Sequence, residues 1–589
     1  MKEILSGNEA IARGCYEYGV HVATAYPGTP STEILENVAR YPEIYKEWCP
    51  NEKVAMEVAI GATFEGARSL VAMKHVGVNV AADPFMSVSL IGAPGGFIIV
   101  SADDPGMHSS QNEQDNRYYA KFAGYPCFEP ADSQEAKDFV GKALEISTAY
   151  DVPVLMRMTT RVCHGKGVVS LSDRKEYDIK GFERDPKRFV VLPAHARALH
   201  VKASQRLERL KQASEDISIN RLEKGSMNVG VITNGIAYQY VKEVLPDANI
   251  LKLGMSYPLP MNKIRELASR VDKLFIVEEL EPFIEEMIKA QGIACEGMKY
   301  WSNLGELTPD IVAEGFYNAG VLKEKVAYKE QKNVIPRPPI FCPGCPHRGL
   351  FYNLKKLNAV VTTDIGCYTL GALPPLAAGD TCVEMGASIG VGVGMAKARG
   401  TGKGIVATIG DSTFLHSGMT GLLNAVNDKS GITVVIADNR ITAMTGGQFH
   451  PGTGETLSGA EGTEVDLKTI CQALGVKHIR EVDTYDLEET KEALKEEMER
   501  EELSVIITTR PCALFPPSIR KVVKQTPFTV DLDKCIGCKT CFKVSCPAIG
   551  VTEEKTEKGL NKSKIDPALC TGCSVCAQVC PVNAIVPLK

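Results

Sequence analysis

Eight of the nineteen cysteines fall between Cys535 and Cys580, in two runs that each end in Cys-Pro. The first is Cys535-x2-Cys538-x2-Cys541-x4-Cys546-Pro547, and the second is Cys570-x2-Cys573-x2-Cys576-x3-Cys580-Pro581. Thiolates spaced two residues apart converge on one iron–sulfur centre, and the fourth cysteine of such a run reaches across to the other centre. On that rule Cys535, Cys538, Cys541 and Cys580 hold one 4Fe–4S cluster, and Cys570, Cys573, Cys576 and Cys546 hold the second. A pair of zinc sites is the competing use of the same soft ligands. Tandem runs closed by Cys-Pro favour iron and one-electron chemistry. The first run departs from the usual spacing, with four residues instead of three ahead of Cys546.

The cysteine tail resembles the bacterial two-cluster ferredoxins. A second constellation lies upstream. Gly410-Asp411-Ser412 follows the apolar run GIVATI, and Asp438-Asn439 follows VVIA. Both turns close strands of a parallel sheet at their carboxyl ends, where ligands bind in such folds. Gly410 lets the backbone approach a phosphate. Asp411 supplies an anionic oxygen and Asn439 a neutral one, so magnesium would bridge both turns to a diphosphate. An acidic turn after a strand is common by itself. Here the segment resembles the thiamine diphosphate motif that begins Gly-Asp-Gly and ends Asn-Asn, with Ser412 and Asp438 replacing one residue each. The run from Asp438 to Gln448 is similar to that of the 2-oxoacid:ferredoxin oxidoreductases, which implies magnesium ligation by Asp411, Asn439 and the Ile441 carbonyl, with Gly410 and Ser412 against the cofactor.

Two further segments resemble the same family. Phe341-Cys342-Pro343-Gly344-Cys345-Pro346-His347-Arg348 matches the start of its cofactor domain, and Thr363-Asp364-Ile365-Gly366-Cys367 matches the loop against the aminopyrimidine. The resemblance places Cys345, Ile365, Gly366 and Cys367 at the cofactor. Cys342 and Cys345 also read as a zinc or redox pair. No matching second pair stands beside them in the sequence, so they are expected to shape the pocket wall.

Activation of thiamine diphosphate requires a carboxylate hydrogen-bonded to its aminopyrimidine ring. In relatives this acid opens a small-residue helix nine residues before a glycine, and Glu52 with Gly61 fits. Glu57 competes from another face of the helix, and an acid placed only for the helix dipole is the bland alternative. Tyr26-Pro27-Gly28-Thr29-Pro30-Ser31 resembles the family's substrate loop, whose threonine contacts the 2-oxoacid carboxylate, a role that falls to Thr29. Gly28 stands where relatives using smaller acids carry a bulky aliphatic, which would leave space beside the substrate. The loop Ala102–His108 lacks the arginine of pyruvate-using members. His108 is a substrate-binding candidate there, or an ordinary loop histidine.

These residues need elements to position them. The chain has 589 residues, and strand-like runs at 21–30, 95–105 and 151–161 alternate with helix-like stretches such as 51–73. That alternation predicts parallel sheets with right-handed crossovers. The fold class is therefore α/β, with several doubly wound domains of the thiamine diphosphate-binding type and a small C-terminal α+β two-cluster ferredoxin domain. The expected domains are 1–190 (pyrimidine and substrate loop), 191–330 (a charged linker, read as a solvated helix over 201–216, and a central α/β domain), 331–520 (diphosphate and magnesium) and 521–589 (clusters), with linkers at 329–341 and 516–528. Hydrophobic residues at 44%, charged residues at 23% and a net charge of −6 exclude disorder and disfavour nucleic acid as a partner. Acids at Glu3 and Glu9 disfavour a secretion signal, and Pro and Gly interrupt the longest uncharged stretch, so a soluble cytoplasmic protein with no membrane span is expected.

The whole combination resembles the 2-oxoacid:ferredoxin oxidoreductases, most closely the alpha subunits of the branch acting on indolepyruvate. The resemblance implies oxidative decarboxylation of aryl 2-oxoacids, coenzyme A as acyl acceptor, ferredoxin as electron acceptor, a smaller beta subunit and an α2β2 assembly in anaerobes. Pyruvate and branched-chain acids are the competing substrates. A ferredoxin-type electron carrier with a non-catalytic thiamine domain is the reading from another class, and the presence of both Asp411 and Asn439 counts against it.

Overall fold

The computed structural model describes residues 1–325, 334–335, 337–515 and 526–588. Of the two linker expectations, 516–528 lies largely outside these residues and 329–341 partly so. The chain divides into two compact units, Met1–Lys332 and Asn333–Lys589.

In the first unit a seven-stranded sheet runs in the order Met255–Tyr257, Cys127–Phe128, Val154–Thr159, Phe97–Asp103, Ser69–Lys74, Val22–Ala25, Tyr45–Trp48. All neighbours are parallel except Met255–Tyr257, which pairs antiparallel with Cys127–Phe128. Phe97–Asp103, Ser69–Lys74 and Val154–Thr159 are buried at every position, as parallel strands covered on both faces must be. From Val22–Ala25 the chain moves outward to Tyr45–Trp48, then returns to Ser69–Lys74 on the opposite side. The strand order therefore reverses between Val22–Ala25 and Ser69–Lys74. A second sheet of four strands (Lys273–Val277, Val229–Asn234, Asn249–Leu253, Arg221–Glu223) forms the central α/β layer.

The charged stretch at 201–216 belongs to one helix, Pro193–Asp216, whose face is largely exposed but which also carries a buried stripe. Leu199, Arg206, Leu210 and Ala213 form a buried stripe at helical spacing, and Arg206 donates to the Asp151 carbonyl at 2.9 Å.

The second unit holds an all-parallel sheet in the order Thr381–Cys382, Val360–Thr363, Ile405–Gly410, Thr433–Ala437, Ser504–Thr508, His478–Val482. Here the order reverses between Val360–Thr363 and Ile405–Gly410. Val, Ile and Leu from these strands and from helices Ala387–Arg399 and Met419–Asn427 fill the core. The tail adds two antiparallel strand pairs, Phe528–Val530 with Ile585–Pro587 and the hairpin of Ile549–Lys555 with Asn561–Ile565. Among the described residues, no helix is long and apolar enough to cross a membrane.

Candidate functional site

Four adjacent parallel strands of the second unit deliver four loops to one edge: 364–367, 411–413, 438–442 and 509–512. Asp411 leaves strand Ile405–Gly410 and opens a short helix that widens into a π-helical turn, Phe414–Gly418. Such turns are rare and are frequently found at functional sites. Its Oδ1 accepts the Ser412 N–H at 2.8 Å, and its Oδ2 accepts the Arg440 N–H at 2.7 Å and His450 Nε2 at 3.2 Å. Burial pushes the Asp411 carboxyl up, but His450 and these donors outweigh it and hold the group below the usual range. Burial and the Asp411 charge push its neighbour Asp438 up. Arg440 takes a left-handed φ of 64°, which lets its N–H reach Asp411.

Asn439 follows the next strand. Its Nδ2 lies 3.2 Å from His347 Nε2, and its Oδ1 accepts the Ile441 N–H at 3.2 Å. Burial lowers His347 to about 4, so the neutral ring acts as the acceptor. The Asp411 carboxylate, the Asn439 amide oxygen and the Ile441 peptide oxygen are hard donors of the kind that could hold magnesium. A Cβ on Gly410 would stand 2.7 Å from Tyr368 Cε1, so the backbone there admits no side chain. The Ile365 carbonyl joins the loops by accepting Tyr368 Oη at 3.0 Å and Thr413 Oγ1 at 3.2 Å, and Thr442 Oγ1 donates to Ser412 Oγ at 2.8 Å.

The same edge adds to one expectation. Cys342 and Cys345 do not stand alone, because the fold brings Cys367 and Cys512 beside them. Burial pushes Cys345 up, with Cys367 and Cys512 adding to it, and Cys367 is pushed up to about 12 by burial and by Cys512 and Cys342. Cys512 is anchored through its N–H to the Asn439 carbonyl at 2.9 Å. Sequence reasoning missed this set because its last member lies 145 positions beyond Cys367. The signal was the strand period: Cys367 and Cys512 both follow buried parallel strands.

Among the described residues, no group of three or more His, Cys, Asp or Glu is placed to hold a single metal ion. A cubane cluster needs a cavity among its thiols instead. In the tail Cys535, Cys538, Cys541 and Cys580 line one pocket together. The Ala584 N–H points to Cys580 Sγ at 3.2 Å and the Ser563 N–H to Cys535 Sγ at 3.5 Å, donors of the kind that stabilise thiolate ligands. Cys546, Cys570, Cys573 and Cys576 gather separately. Burial pushes Cys576 up, and the other three thiolates push it further. Ser545, directly ahead of Cys546, adopts a left-handed φ of 56°.

At the carboxyl edge of the first unit's sheet stand Thr29, Glu52, Lys74 and the loop to His108. Asn51 caps helix Glu52–Phe64 by accepting the Val54 N–H at 2.9 Å, which puts Glu52 in the first turn. Glu52 is buried and packs so closely on Gly77 that a Cβ there would lie 2.7 Å from Glu52 Oε1. Glu57 is exposed and pairs with Lys53. Gly28 does not leave open space on every side: its Cβ would stand 3.0 Å from Lys74 Cβ, so Lys74 occupies that flank. His108 is exposed and lies 3.5 Å from Glu306, which also binds Arg161.

Three family profiles match the chain: a pyruvate flavodoxin/ferredoxin oxidoreductase thiamine diphosphate-binding domain over 13–221, a C-terminal thiamine pyrophosphate-binding domain over 364–508, and a 4Fe–4S dicluster domain over 534–584. The indolepyruvate oxidoreductase subunit IorA of Thermococcus kodakarensis is 41% identical over all of this chain and 97% of its own length. The chain belongs to the IorA family. The IorA of Archaeoglobus fulgidus is 40% identical over all of this chain and 98% of its own. The 2-oxoglutarate synthase subunit KorA of Methanothermobacter thermautotrophicus is 23% identical over 46% of this chain. As an IorA-family chain it is a thiamine diphosphate- and iron–sulfur-dependent subunit of the 2-oxoacid:ferredoxin oxidoreductase type, and the tail's cysteines serve iron–sulfur clusters in place of zinc.

Proposed function

We propose that the chain is the alpha subunit of a cytoplasmic indolepyruvate:ferredoxin oxidoreductase, working with a smaller beta subunit in an α2β2 assembly. The reaction takes an aryl 2-oxoacid and coenzyme A to arylacetyl-CoA and CO2, releasing one proton and two electrons to ferredoxin. The observation that carries this reading is the single covalent chain joining a thiamine-type sheet edge to two gathered sets of four cysteines in a dicluster domain.

When bound, thiamine diphosphate supplies the nucleophilic carbon and the electron sink for decarboxylation, and the clusters supply one-electron steps. Asp411, Asn439 and the Ile441 carbonyl would hold magnesium and through it the diphosphate, with Gly410 and Ser412 against the same group. Glu52 would accept a hydrogen bond from the aminopyrimidine ring, its carboxylate held in place by the packing on Gly77. Ile365, Gly366, Cys345 and Cys367 would line the pocket, and the Thr29 hydroxyl would donate to the substrate. Cys535, Cys538, Cys541 and Cys580 would hold one cluster, and Cys546, Cys570, Cys573 and Cys576 the second. Cys342, Cys345, Cys367 and Cys512 have the ligand type and number for a third, beside Asn439. The test is anaerobic reduction of a viologen dye with coenzyme A and a panel of 2-oxoacids, with and without the partner subunit. Indolepyruvate is expected to exceed pyruvate and branched-chain acids in kcat/KM. A reversed order would move the substrate class, and no reduction with any acid would leave an electron carrier alone.

A further inference from the structure

A 2-oxoacid carries a carboxylate that must be recognised, and the loop after Phe97–Asp103 offers no arginine to do so. A different strand supplies a cation. Lys74 ends Ser69–Lys74, next to Val22–Ala25, and the sheet order reverses between these two strands. The crevice outside the carboxyl ends at such a reversal is where ligands bind in open α/β sheets. The substrate loop and Lys74 are its two walls. The lysine stem runs along Gly28, whose Cβ would stand 3.0 Å from Lys74 Cβ and 3.9 Å from its Cδ. Any side chain at 28 would push the stem aside.

Lys74 as a residue is 8% exposed, and its ammonium has no ion pair among the described residues. Nζ donates one hydrogen bond, to the Ser109 carbonyl at 2.7 Å, and Ser109 Oγ in turn donates to the Thr29 carbonyl at 3.3 Å. An ammonium has three donors, so two remain. Asp104, the acid whose charge acts on it, is already engaged: its carboxylate accepts the Ser109 N–H at 2.8 Å, Ser110 Oγ at 2.6 Å and Thr160 Oγ1 at 2.7 Å. Burial accordingly lowers Lys74 to about 8, against a pull from Asp104. The Thr29 hydroxyl likewise has no hydrogen-bond partner among the described residues. Two donors with spare capacity and no nearby uncommitted acceptor suit a ligand that only accepts.

We propose that Lys74 receives the substrate carboxylate beside Thr29, doing from the neighbouring strand what an arginine does from the following loop in pyruvate-using relatives. This assignment rests on the 2-oxoacid reading above. It also explains Gly28 as the residue that admits the lysine stem, not as room for a larger substrate.

The experiment uses the complete enzyme with its partner subunit and viologen as acceptor. Inhibition by an arylpropionate is compared with inhibition by its primary amide, in wild type, K74M and K74R. Wild type is expected to prefer the carboxylate by about tenfold or more, the scale of one charge-assisted hydrogen bond. K74M should lose that preference while binding the amide as before, and its KM for the 2-oxoacid should rise about 10–100-fold with a smaller change in kcat. K74R should keep most of the preference. If K74M does not fold, K74Q carries the same comparison. A K74M or K74Q enzyme that still prefers the carboxylate overturns the assignment. Wild type that turns over no 2-oxoacid overturns the proposed function first, so the two failures are distinguishable.

Discussion

Arg348 donates from Nη1 to the Val544 carbonyl at 2.5 Å, two residues before Cys546. The same nitrogen binds the Ser545 carbonyl, and Nη2 turns back to the carbonyls of Cys342 at 2.7 Å and Phe341 at 3.2 Å. One buried guanidinium thus fastens the Cys342–Cys345 turn to the first cysteine run, at the point where that run carries its additional residue. Its charge also reaches the Cys573 thiol. Its hydrogen bonds go to carbonyls alone among the described residues, so a thiolate-ligated cluster at Cys573 would supply its countercharge.

Replacing Arg348 by Met should therefore lower the reduction potential of the cluster at Cys546, Cys570, Cys573 and Cys576, because the reduced cluster loses a nearby positive charge. It should also cost about 1–3 kcal/mol of stability through carbonyls left without donors. An EPR-monitored redox titration would check the first effect and a thermal melt the second. R348K should restore part of the potential but not the four-way bonding.

Glu52→Gln should leave cluster content and magnesium binding intact and lower turnover by about 100-fold or more. Glu57→Gln should stay within about twofold, because that carboxylate is exposed and paired only with Lys53. Steady-state viologen kinetics on both variants decide the matter. The reverse pattern would move the activating role to Glu57.

Asp411→Ala removes the acceptor that binds the N–H groups of Ser412 and Arg440 as well as His450. Thiamine diphosphate affinity, read by calorimetry with magnesium present, should fall at least about tenfold. Undiminished affinity would refute the magnesium assignment. Iron per chain should not change.

Iron analysis after anaerobic purification should give about eight atoms per chain for the two tail clusters alone, and about twelve with Cys342, Cys345, Cys367 and Cys512 loaded. We expect about twelve, falling by about four in Cys512→Ala. A value near eight in both proteins would make those cysteines a pocket wall after all.

Glu278 and Glu279 are buried, and burial pushes each up to about 7, against pulls from Arg117 on Glu278 and from the Leu307 N–H on Glu279. A carboxyl raised above its unfolded value keeps a proton that the unfolded chain releases. Its contribution to stability is therefore complete below about pH 4.5 and is lost as pH climbs through about 7. Glu279→Gln should gain on wild type as pH rises from about 6 to 8.5, by on the order of 1–3 kcal/mol at the upper end. Thermal melts at the two pH values measure it. A gap independent of pH would sink the account.

The strands at Phe97–Asp103, Ile405–Gly410 and Thr433–Ala437 were legible because buried parallel strands are continuous apolar runs, and their closing residues Asp411 and Asn439 could be named from the loops that follow. The cysteine runs were legible because thiolates of one cluster lie within a few residues of each other. Arg348, Lys74 and Cys512 were not. Each acts on residues far away in the sequence: Arg348 on Val544, Lys74 on Gly28 and Ser109, Cys512 beside Cys367. Local spacing and periodicity report what one stretch of chain does to itself. They set this protein's cofactor chemistry and the composition of its layers. Which cation faces which loop depends on strand order, and strand order is decided by crossovers that leave little trace in any short window of sequence.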